Sequence, residues 1–165
     1  MDLEISHAEP SDAVVILALQ KLAYQSEARL YQDWSIPPLT QTLDEIATEF
    51  GGKIFLKACL ADAIVGSVRA SLDRGTCAIG RLIVHPDRQH RGIGTRLMQA
   101  IEALSAEAER FEIFTGERSE GNIRLYTRLG YRVFRTKRLS SKVAIVFMEK
   151  WKSESVVSPN PYEAP

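Results

Sequence analysis

The most informative segment of this chain reads Leu82-Ile83-Val84-His85-Pro86-Asp87-Arg88-Gln89-His90-Arg91-Gly92-Ile93-Gly94-Thr95-Arg96-Leu97. Its first three residues are apolar, which is typical of the end of a buried strand. Pro86 stops the strand, and a turn rich in basic residues and glycine follows. Apolar residues then recur at helical spacing from Leu97 to Ala108. The segment therefore predicts a strand, a turn and an amphipathic helix in direct succession.

The turn before this helix predicts a site for a phosphate or pyrophosphate. The first N–H groups of a helix have no acceptor within the helix, and the helix dipole adds about half a positive charge there. Gly92 and Gly94 remove Cβ atoms that would keep a phosphate away from the backbone, although the same glycines also suit a tight turn without a ligand. Three nearby side chains can add positive charge: Arg88, Arg91 and Arg96.

Two familiar phosphate-binding patterns do not fit this turn. A P-loop requires GxxxxGK followed by Ser or Thr, which the segment lacks. A dinucleotide fingerprint requires a third glycine or an alanine where Leu97 stands. Neither pattern therefore identifies the ligand of this turn.

Two spaced motifs resemble the GNAT superfamily of N-acetyltransferases. Gln89-x-x-Gly92-x-Gly94 is similar to the family signature Arg/Gln-x-x-Gly-x-Gly/Ala, which lies between a strand and a helix. The second motif, Asn122-Ile123-Arg124-Leu125-Tyr126-Thr127-Arg128-Leu129-Gly130-Tyr131, is similar to the family's Leu-Tyr-x-x-x-Gly-Phe/Tyr helix. The sequence departs from the family by having Ser119-Glu120-Gly121-Asn122 where Asn-x-x-Ala is common. The resemblance extends from about Leu3 to Lys150.

The resemblance implies acetyl-CoA as the acetyl donor. No metal is expected, because the sequence has no HExxH motif and no cluster of Cys and His residues. Backbone groups of Leu82, Ile83 and Val84 would pair with the pantetheine arm and polarise the acetyl carbonyl. The pyrophosphate would lie on the amides of Gln89, His90, Arg91, Gly92, Ile93, Gly94 and Thr95. Asn122 lies one helical turn before Tyr126, so its amide would contact pantetheine, although a polar residue near a helix start needs no ligand to explain it.

The resemblance also suggests the catalytic residues. Tyr126 occupies the position where the family often has a general acid near the CoA sulfur, and the same position also suits a core tyrosine. An amine acceptor with a pKa of about 10.4 must lose a proton before it attacks, so a base is required. Glu117, just after the predicted strand Phe111–Thr115, is the leading candidate. Three other carboxylates are alternatives: Glu27, Asp33 and Glu112.

The loop from Tyr31 to Pro38 is the predicted wall of the acceptor site, because the family usually builds that wall between its first two helices. Tyr31 and Trp34 are expected to line an apolar or cation-binding pocket, and Asp33 would attract an amine. The alternative is a proline-stiffened loop whose aromatic rings pack on the sheet.

Composition excludes several other classes of protein. The chain has 165 residues, of which 45% are hydrophobic and 25% charged, as in a soluble globular domain. The net charge of +0 gives no general reason to expect a nucleic-acid or membrane partner. Cys59 and Cys77 form no metal or disulfide pattern, and the residues at the start lack the basic character of a secretory signal. A cytoplasmic protein is expected.

The element order β-α-α-β-β-β-α-β-α-β-β combines a meander with a crossover. It predicts one mixed sheet covered by helices on both faces. Together with this order, the resemblance implies an α/β (α+β mixed), GNAT-like fold with a mostly antiparallel sheet of about seven strands and about four helices on both faces. We expect one acetyltransferase domain at residues 1–151. Residues 152–165 are rich in Ser and Pro and predict a disordered tail.

The predicted function is direct transfer of the acetyl group of acetyl-CoA to a primary amine of a small molecule or protein, in a ternary complex. No Cys/His or Ser/His pair suggests a covalent acyl-enzyme. The alternatives are a non-catalytic acyl-CoA sensor, a nucleotide-binding protein unrelated to CoA, and transfer of a different acyl group. A homodimer is expected from the family alone.

Overall fold

A seven-stranded mixed sheet organises the protein in a computed structural model, which describes residues 2–152. The strands are β1 (Leu3–His7), β2 (Ile54–Leu60), β3 (Ala63–Asp73), β4 (Thr76–Val84), β5 (Arg110–Gly116), β6 (Arg132–Arg138) and β7 (Ala144–Trp151). The α-helices among these residues are α1 (Ala13–Ala23), α2 (Gln25–Tyr31), α3 (Pro37–Thr40), α4 (Leu43–Glu49), α5 (Ile93–Leu104) and α6 (Glu120–Arg128). The predicted fold class is confirmed.

The strand order is β1-β2-β3-β4-β5-β7-β6, and one neighbouring pair, β4 and β5, is parallel. These two strands pair only from Thr76 with Arg110 to Ile79 with Ile113. Both strands continue beyond this short pairing, β4 to Val84 and β5 to Gly116. The carboxyl-terminal parts of β4 and β5 are therefore not joined to each other by ladder hydrogen bonds, and the two strands separate there.

Helices cover both faces of the sheet because strand side chains alternate between two apolar cores. On one face, Leu56 and Ile79 pack with α5 residues such as Leu97. On the other face, Phe55 and Ile83 pack with residues of α1 and α4. The end of β4 is thus fixed between two helical layers.

The helices differ from the predicted ones in three places. The spacing of Val15, Leu19 and Leu22 predicts one helix that continues towards Leu30, but Tyr24, with a φ of −80° and a ψ of 0°, separates α1 from α2. The consecutive prolines at 37 and 38 predict extended backbone, but Pro37 begins the short helix α3, since its fixed φ also suits a first helical position. Helix α5 ends at Leu104 rather than continuing to Ala108.

The carboxyl-terminal end of the described chain is held against the loop before β5. The backbone N–H of Lys152 donates to the carbonyl of Glu109 over 3.0 Å. The rest of the predicted tail, from residue 153, lies outside the described residues. Within residues 2–152, no helix combines the length and apolar character that a membrane span requires.

Candidate functional site

A cavity of about 490 Å³, here called cavity 1, opens at the carboxyl end of β4. Its lining residues are Ala23, Tyr24, Ser26, Glu27, Leu82, Ile83, Val84, Arg88, Gln89, His90, Gly92, Ile93, Gly94, Thr95, Gly121, Asn122, Leu125 and Arg128. All the predicted cofactor-binding residues lie in this lining except Arg91, which is exposed in the turn. The structure therefore brings the two sequence motifs to one place, while the role of each residue stays a prediction.

The amino terminus of α5 forms one wall of cavity 1. Gly92 is the residue before the helix, with a φ of 79° that favours glycine, and no side chain caps this end. The first helical hydrogen bond runs from the N–H of Arg96 to the carbonyl of Gly92 over 3.0 Å. The N–H groups of Ile93, Gly94 and Thr95 consequently have no acceptor within the helix, which leaves them available to an anion.

Gly94 allows this helix end to pack closely on its neighbours. A Cβ atom at residue 94 would lie 3.4 Å from Cδ2 of Leu125 and 3.8 Å from Cδ2 of Leu82. These two leucines come from α6 and β4, which form the adjacent walls of cavity 1. A methyl group at residue 94 would therefore contact both leucines and occupy part of the space between these walls.

A bulge in β4 shapes the opposite wall. Ser67 pairs with Ile83 and Arg69 pairs with Gly80, so Arg81 and Leu82 together face one residue of β3. Arg81 has a φ of 49°, which is uncommon for a residue with a side chain. A bulge bends its strand and re-aims side chains. Here it coincides with the point where β4 separates from β5.

Tyr126 is buried beside cavity 1 rather than in its lining, with 3% of its surface exposed. Its ring packs edge-on against Tyr131 at 6.2 Å. Burial raises the pKa of Tyr126 well above its ordinary value, and the negative charge of Glu27 raises it further. The phenol therefore keeps its proton throughout the physiological range.

Asn122, one helical turn before Tyr126, lines cavity 1 and donates a hydrogen bond from Nδ2 to Oγ1 of Thr115 over 3.2 Å.

The four predicted candidate bases lie in different environments. Glu117 is exposed and lines neither cavity 1 nor a second cavity that lies between β4 and β5. Glu27 lines cavity 1 and accepts a hydrogen bond from Oγ of Ser119 over 2.5 Å. Glu112 lines the second cavity and pairs with Arg110 over 2.6 Å. Asp33 closes a local turn, and hydrogen bonds from Ser35 lower the pKa of its carboxyl.

The loop between α2 and α3 does not line the described cavities. Tyr31 is buried, and its hydroxyl accepts a hydrogen bond from the N–H of Arg118 over 2.7 Å. A Cβ atom at Gly116 would lie 2.1 Å from that hydroxyl, so the ring packs directly on the end of β5. Trp34 is 50% exposed. The alternative of aromatic packing on the sheet thus describes Tyr31 better than a place in the acceptor wall.

A second cavity of about 310 Å³, here called cavity 2, lies where β4 and β5 separate. Its lining residues are Tyr24, Glu49, Lys53, Arg69, Ser71, Ala78, Ile79, Gly80, Arg81, Glu112, Ile113, Phe114 and Phe147. Tyr24 lines both cavities, so the two are neighbours at the α1–α2 joint. Burial raises the pKa of Tyr24, and the nearby Arg81 guanidinium only partly opposes this.

Sequence reasoning missed Tyr24, Arg69 and Arg81 as cavity residues. One signal was present: Gln20 and Tyr24 continue the buried face of α1 at i, i+4 spacing from Ile16. Arg69 also interrupts the apolar run of β3, where a charge requires a partner. The left-handed conformation of Arg81 had no signal in the sequence.

Two other reactive side chains, His85 and Cys77, have structural contacts. Nδ1 of His85 accepts a hydrogen bond from the N–H of Asp87, which caps the 3-10 turn after β4. Sγ of Cys77 is buried 3.3 Å from Oγ of Ser105, and burial raises the pKa of its thiol. Within residues 2–152, no group of three or more His, Cys, Asp and Glu side chains could hold a metal ion.

Solved structures share this fold at low sequence identity. The ribosomal-protein-S18-alanine N-acetyltransferase of Escherichia coli superposes with a TM-score of 0.77 at 15% identity, over 98% of this chain and 99% of that one. YncA of Salmonella typhimurium, a putative acetyltransferase solved with acetyl-CoA, gives 0.73 at 18% identity over 95% and 98%. The PaiA N-acetyltransferase of Thermoplasma acidophilum, solved with coenzyme A, gives 0.74 at 15% identity over 92% and 99%. The fold is therefore that of N-acetyltransferases.

The sequence itself assigns the family. Residues 19–131 match the model of the acetyltransferase (GNAT) family, and the chain belongs to this family of acyltransferases. A curated relative, the UPF0157 protein YqkA of Bacillus subtilis, is 29% identical over 127 residues, or 77% of this chain. The chain spans 36% of the length of that relative.

Proposed function

We propose that this protein transfers the acetyl group of acetyl-CoA directly to a primary amine of a small molecule or protein, within a ternary complex. The observation that carries the proposal is the arrangement of two neighbouring cavities that share Tyr24 in their linings. Cavity 1 carries the uncapped helix end, and cavity 2 opens between the separated strands. Membership of the GNAT family and the CoA-bound relatives support the donor.

The residues of cavity 1 fit a CoA molecule. Its volume of about 490 Å³ lies within the usual range for ligand pockets. The free N–H groups of Ile93, Gly94 and Thr95 suit the pyrophosphate, and Arg88 in the lining adds positive charge. The free edge of β4 at Leu82–Val84 offers peptide groups to an amide-bearing arm, with Asn122 opposite. Bound there, acetyl-CoA supplies an acetyl group activated as a thioester.

Two side chains near cavity 1 would donate a hydrogen bond and accept a proton during the reaction. Tyr126 keeps its proton at Oη because burial raises its pKa, so we assign it hydrogen-bond donation towards the sulfur rather than full proton transfer. Among the four candidate bases, Glu27 is the carboxylate in cavity 1, and we assign it the acceptance of a proton from the amine, directly or through water. Glu117 stays a prediction without support from the cavity linings.

Thermal unfolding with acetyl-CoA, free CoA and ATP tests the proposal. A ligand at 100 times its Kd stabilises the native state by about 2.7 kcal/mol, which raises Tm by roughly 2–4 °C per kcal/mol at this chain length. We expect a shift with both CoA species and none with ATP. Absence of a shift with saturating CoA species would contradict the proposal, and a shift without CoA release from any amine would favour an acyl-CoA sensor.

Direct transfer has a separate readout. Intact mass after incubation with acetyl-CoA alone should show unmodified protein, since Cys77 is buried and the described cavities contain no cysteine. A stable increase in mass by one acetyl group would contradict the ternary complex. The cytoplasmic location and the homodimer stay predictions.

A further inference from the structure

Cavity 2 contains a positive charge that no carboxylate neutralises within residues 2–152. Five charged side chains line it: Glu49, Lys53, Arg69, Arg81 and Glu112. Glu49 forms ion pairs with Lys53, over 3.0 Å, and with Arg69, while Glu112 pairs with Arg110, which lies outside the lining. The ion pairs of the described residues leave Arg81 without a carboxylate partner.

Cavity 2 also has two buried donors without acceptors. Nε of Arg69 and Nε of Arg81 are the buried side-chain nitrogens that find no hydrogen-bond partner in the described part of the chain. Arg69 is 2% exposed, and its other guanidinium nitrogens bind Gln20, Gln41 and Glu49. An unsatisfied buried donor is costly, and it keeps a full positive charge at this end of the cavity. Both Nε atoms are closed to solvent, so an anion in cavity 2 would bind a guanidinium through its terminal nitrogens. A carboxylate fits the planar fork of a guanidinium best.

The backbone holds Arg81 in a strained position at this cavity. Its φ of 49° places it in the left-handed region, within the bulge where β4 leaves β5. Residues in such conformations concentrate at ligand sites, where the surrounding structure enforces them. Tyr24 lies beside Arg81 and lines both cavities, so Arg81 is close to the junction with cavity 1.

Aromatic side chains form an apolar wall of the same cavity. The rings of Phe114 and Phe147 lie 5.6 Å apart, and Ile113 adjoins them in the lining. The guanidinium of Arg135 covers Phe147 at 4.1 Å. A ligand that fills cavity 2 therefore meets an uncompensated cation and an apolar wall.

We propose that the acceptor is a free α-amino acid with an apolar side chain. Its carboxylate binds Arg81, its side chain packs on Phe114 and Phe147, and its amine faces cavity 1 at Tyr24. This inference rests on the proposed acetyl transfer. In that transfer an amide N–C bond forms and the thioester C–S bond breaks, with its electron pair leaving on sulfur. The acceptor ammonium loses two protons, of which one ends on the thiol and one in solvent.

Matched acceptors test the inference on the full chain by measuring release of the CoA thiol. L-Phenylalanine is compared with 2-phenylethylamine, and L-leucine with 3-methylbutylamine, so that each pair differs by the carboxylate alone. We expect the amino acid to have at least a tenfold higher kcat/KM in each pair. L-Phenylalaninamide represents a peptide amino terminus and should behave like the amines. Equal or better use of the amines or the amide would overturn the inference.

The variant Arg81→Gln tests the named side chain. It should raise KM for L-phenylalanine at least tenfold and leave KM for acetyl-CoA and for 2-phenylethylamine unchanged, so that discrimination within the pair disappears. Arg74→Gln is the matched control, because Arg74 is exposed in the turn before β4 and has a φ of 48°, nearly that of Arg81. A purely structural role of Arg81 would lower the use of both acceptors together and would overturn the inference.

Thermal unfolding with acetyl-CoA separates the two proposals. If acetyl-CoA does not stabilise the protein, acetyl transfer itself is overturned. If acetyl-CoA binds but no amino acid is acetylated, binding of L-phenylalanine to the protein saturated with CoA is measured by calorimetry. Absence of binding at millimolar concentration overturns the acceptor assignment alone.

Discussion

Arg69 is a charged side chain in the middle of the sheet that is almost completely excluded from solvent. Oε1 of Gln20 accepts a hydrogen bond from its guanidinium over 2.6 Å, and Glu49 supplies the opposite charge. Gln20 in turn donates to the carbonyl of Pro38 over 2.9 Å. The network joins α1, α3 and α4 to β3, so one arginine organises the helical layer above cavity 2.

Glu49→Gln should destabilise the protein by about 3 kcal/mol at pH 7, because it leaves a buried guanidinium without its counter-charge. Burial alone would raise the pKa of Glu49, but Lys53 and Arg69 outweigh it and lower that pKa. A lowered pKa in the folded state gives stability that is present above the unfolded value, about 4.3, and is lost as the pH falls. The difference between wild type and variant should therefore narrow below about pH 4.5.

Urea denaturation between pH 7 and pH 4 measures this difference. Glu107→Gln is the control, since Glu107 is exposed in the loop after α5 and should change the free energy of unfolding by less than about 0.5 kcal/mol. A difference for Glu49→Gln that stays constant down to pH 4, or is as small as that of the control, would contradict the assignment.

Helix α5 is the element in which stability and ligand binding are expected to conflict. Its first turn contains no acidic residue and its amino terminus has no side-chain cap, although both would stabilise an isolated helix. Thr95 occupies the third helical position, where a carboxylate interacts favourably with the helix dipole. A carboxylate there would also repel an anion.

Thr95→Asp should therefore stabilise the free protein by about 0.3–1 kcal/mol and weaken acetyl-CoA binding at least tenfold. Thermal unfolding without and with acetyl-CoA measures both effects. Gln99→Glu adds the same charge one turn later on the exposed side of α5 and should leave the affinity unchanged. If Thr95→Asp binds acetyl-CoA as tightly as wild type, the helix end does not hold the pyrophosphate.

The elements that sequence predicts well are those with local signals. Gly92 and Gly94 mark the start of α5, Thr42 caps α4 by accepting a hydrogen bond from the N–H of Glu45, and the two motifs locate cavity 1. Val15 and Leu22 are exposed, although they suggested the helix at α1. The charge of Arg69 within an apolar strand predicts a partner but not a cavity, because its place depends on the register of β3 with β4. Arg81 enters cavity 2 through a bulge, which no local pattern encodes.

At the scale of the whole molecule, cavity 1 connects the two helical layers on opposite faces of the sheet. Tyr24 and Glu27 belong to the α1–α2 side, and Gly94 and Asn122 belong to α5 and α6. The strand between them, β4, contributes its last three residues. A ligand in cavity 1 therefore contacts parts of the chain that are far apart in sequence.

Hydrogen exchange at short labelling times should show this connection. Acetyl-CoA is expected to slow exchange in residues 23–27, 82–84, 89–95 and 121–128, because their amides line or adjoin cavity 1. Strand β6, which is exposed along its length, should be unaffected, and ATP should change nothing. Protection confined to residues 89–95 would mean that only the turn binds the ligand.

The separation of β4 from β5 also bears on how this protein behaves in concentrated solution. Beyond Ile79 and Ile113, two strand edges in the middle of the sheet have no ladder partner. Exposed strand edges are templates for pairing with another chain, and natural proteins protect them with bulges and inward charges. The edge of β4 has both kinds of protection, because the bulge lies there and Arg81 within it carries a charge towards cavity 2. Aggregation should therefore begin here when the bulge is straightened, and a bound cofactor that covers the edge should delay it.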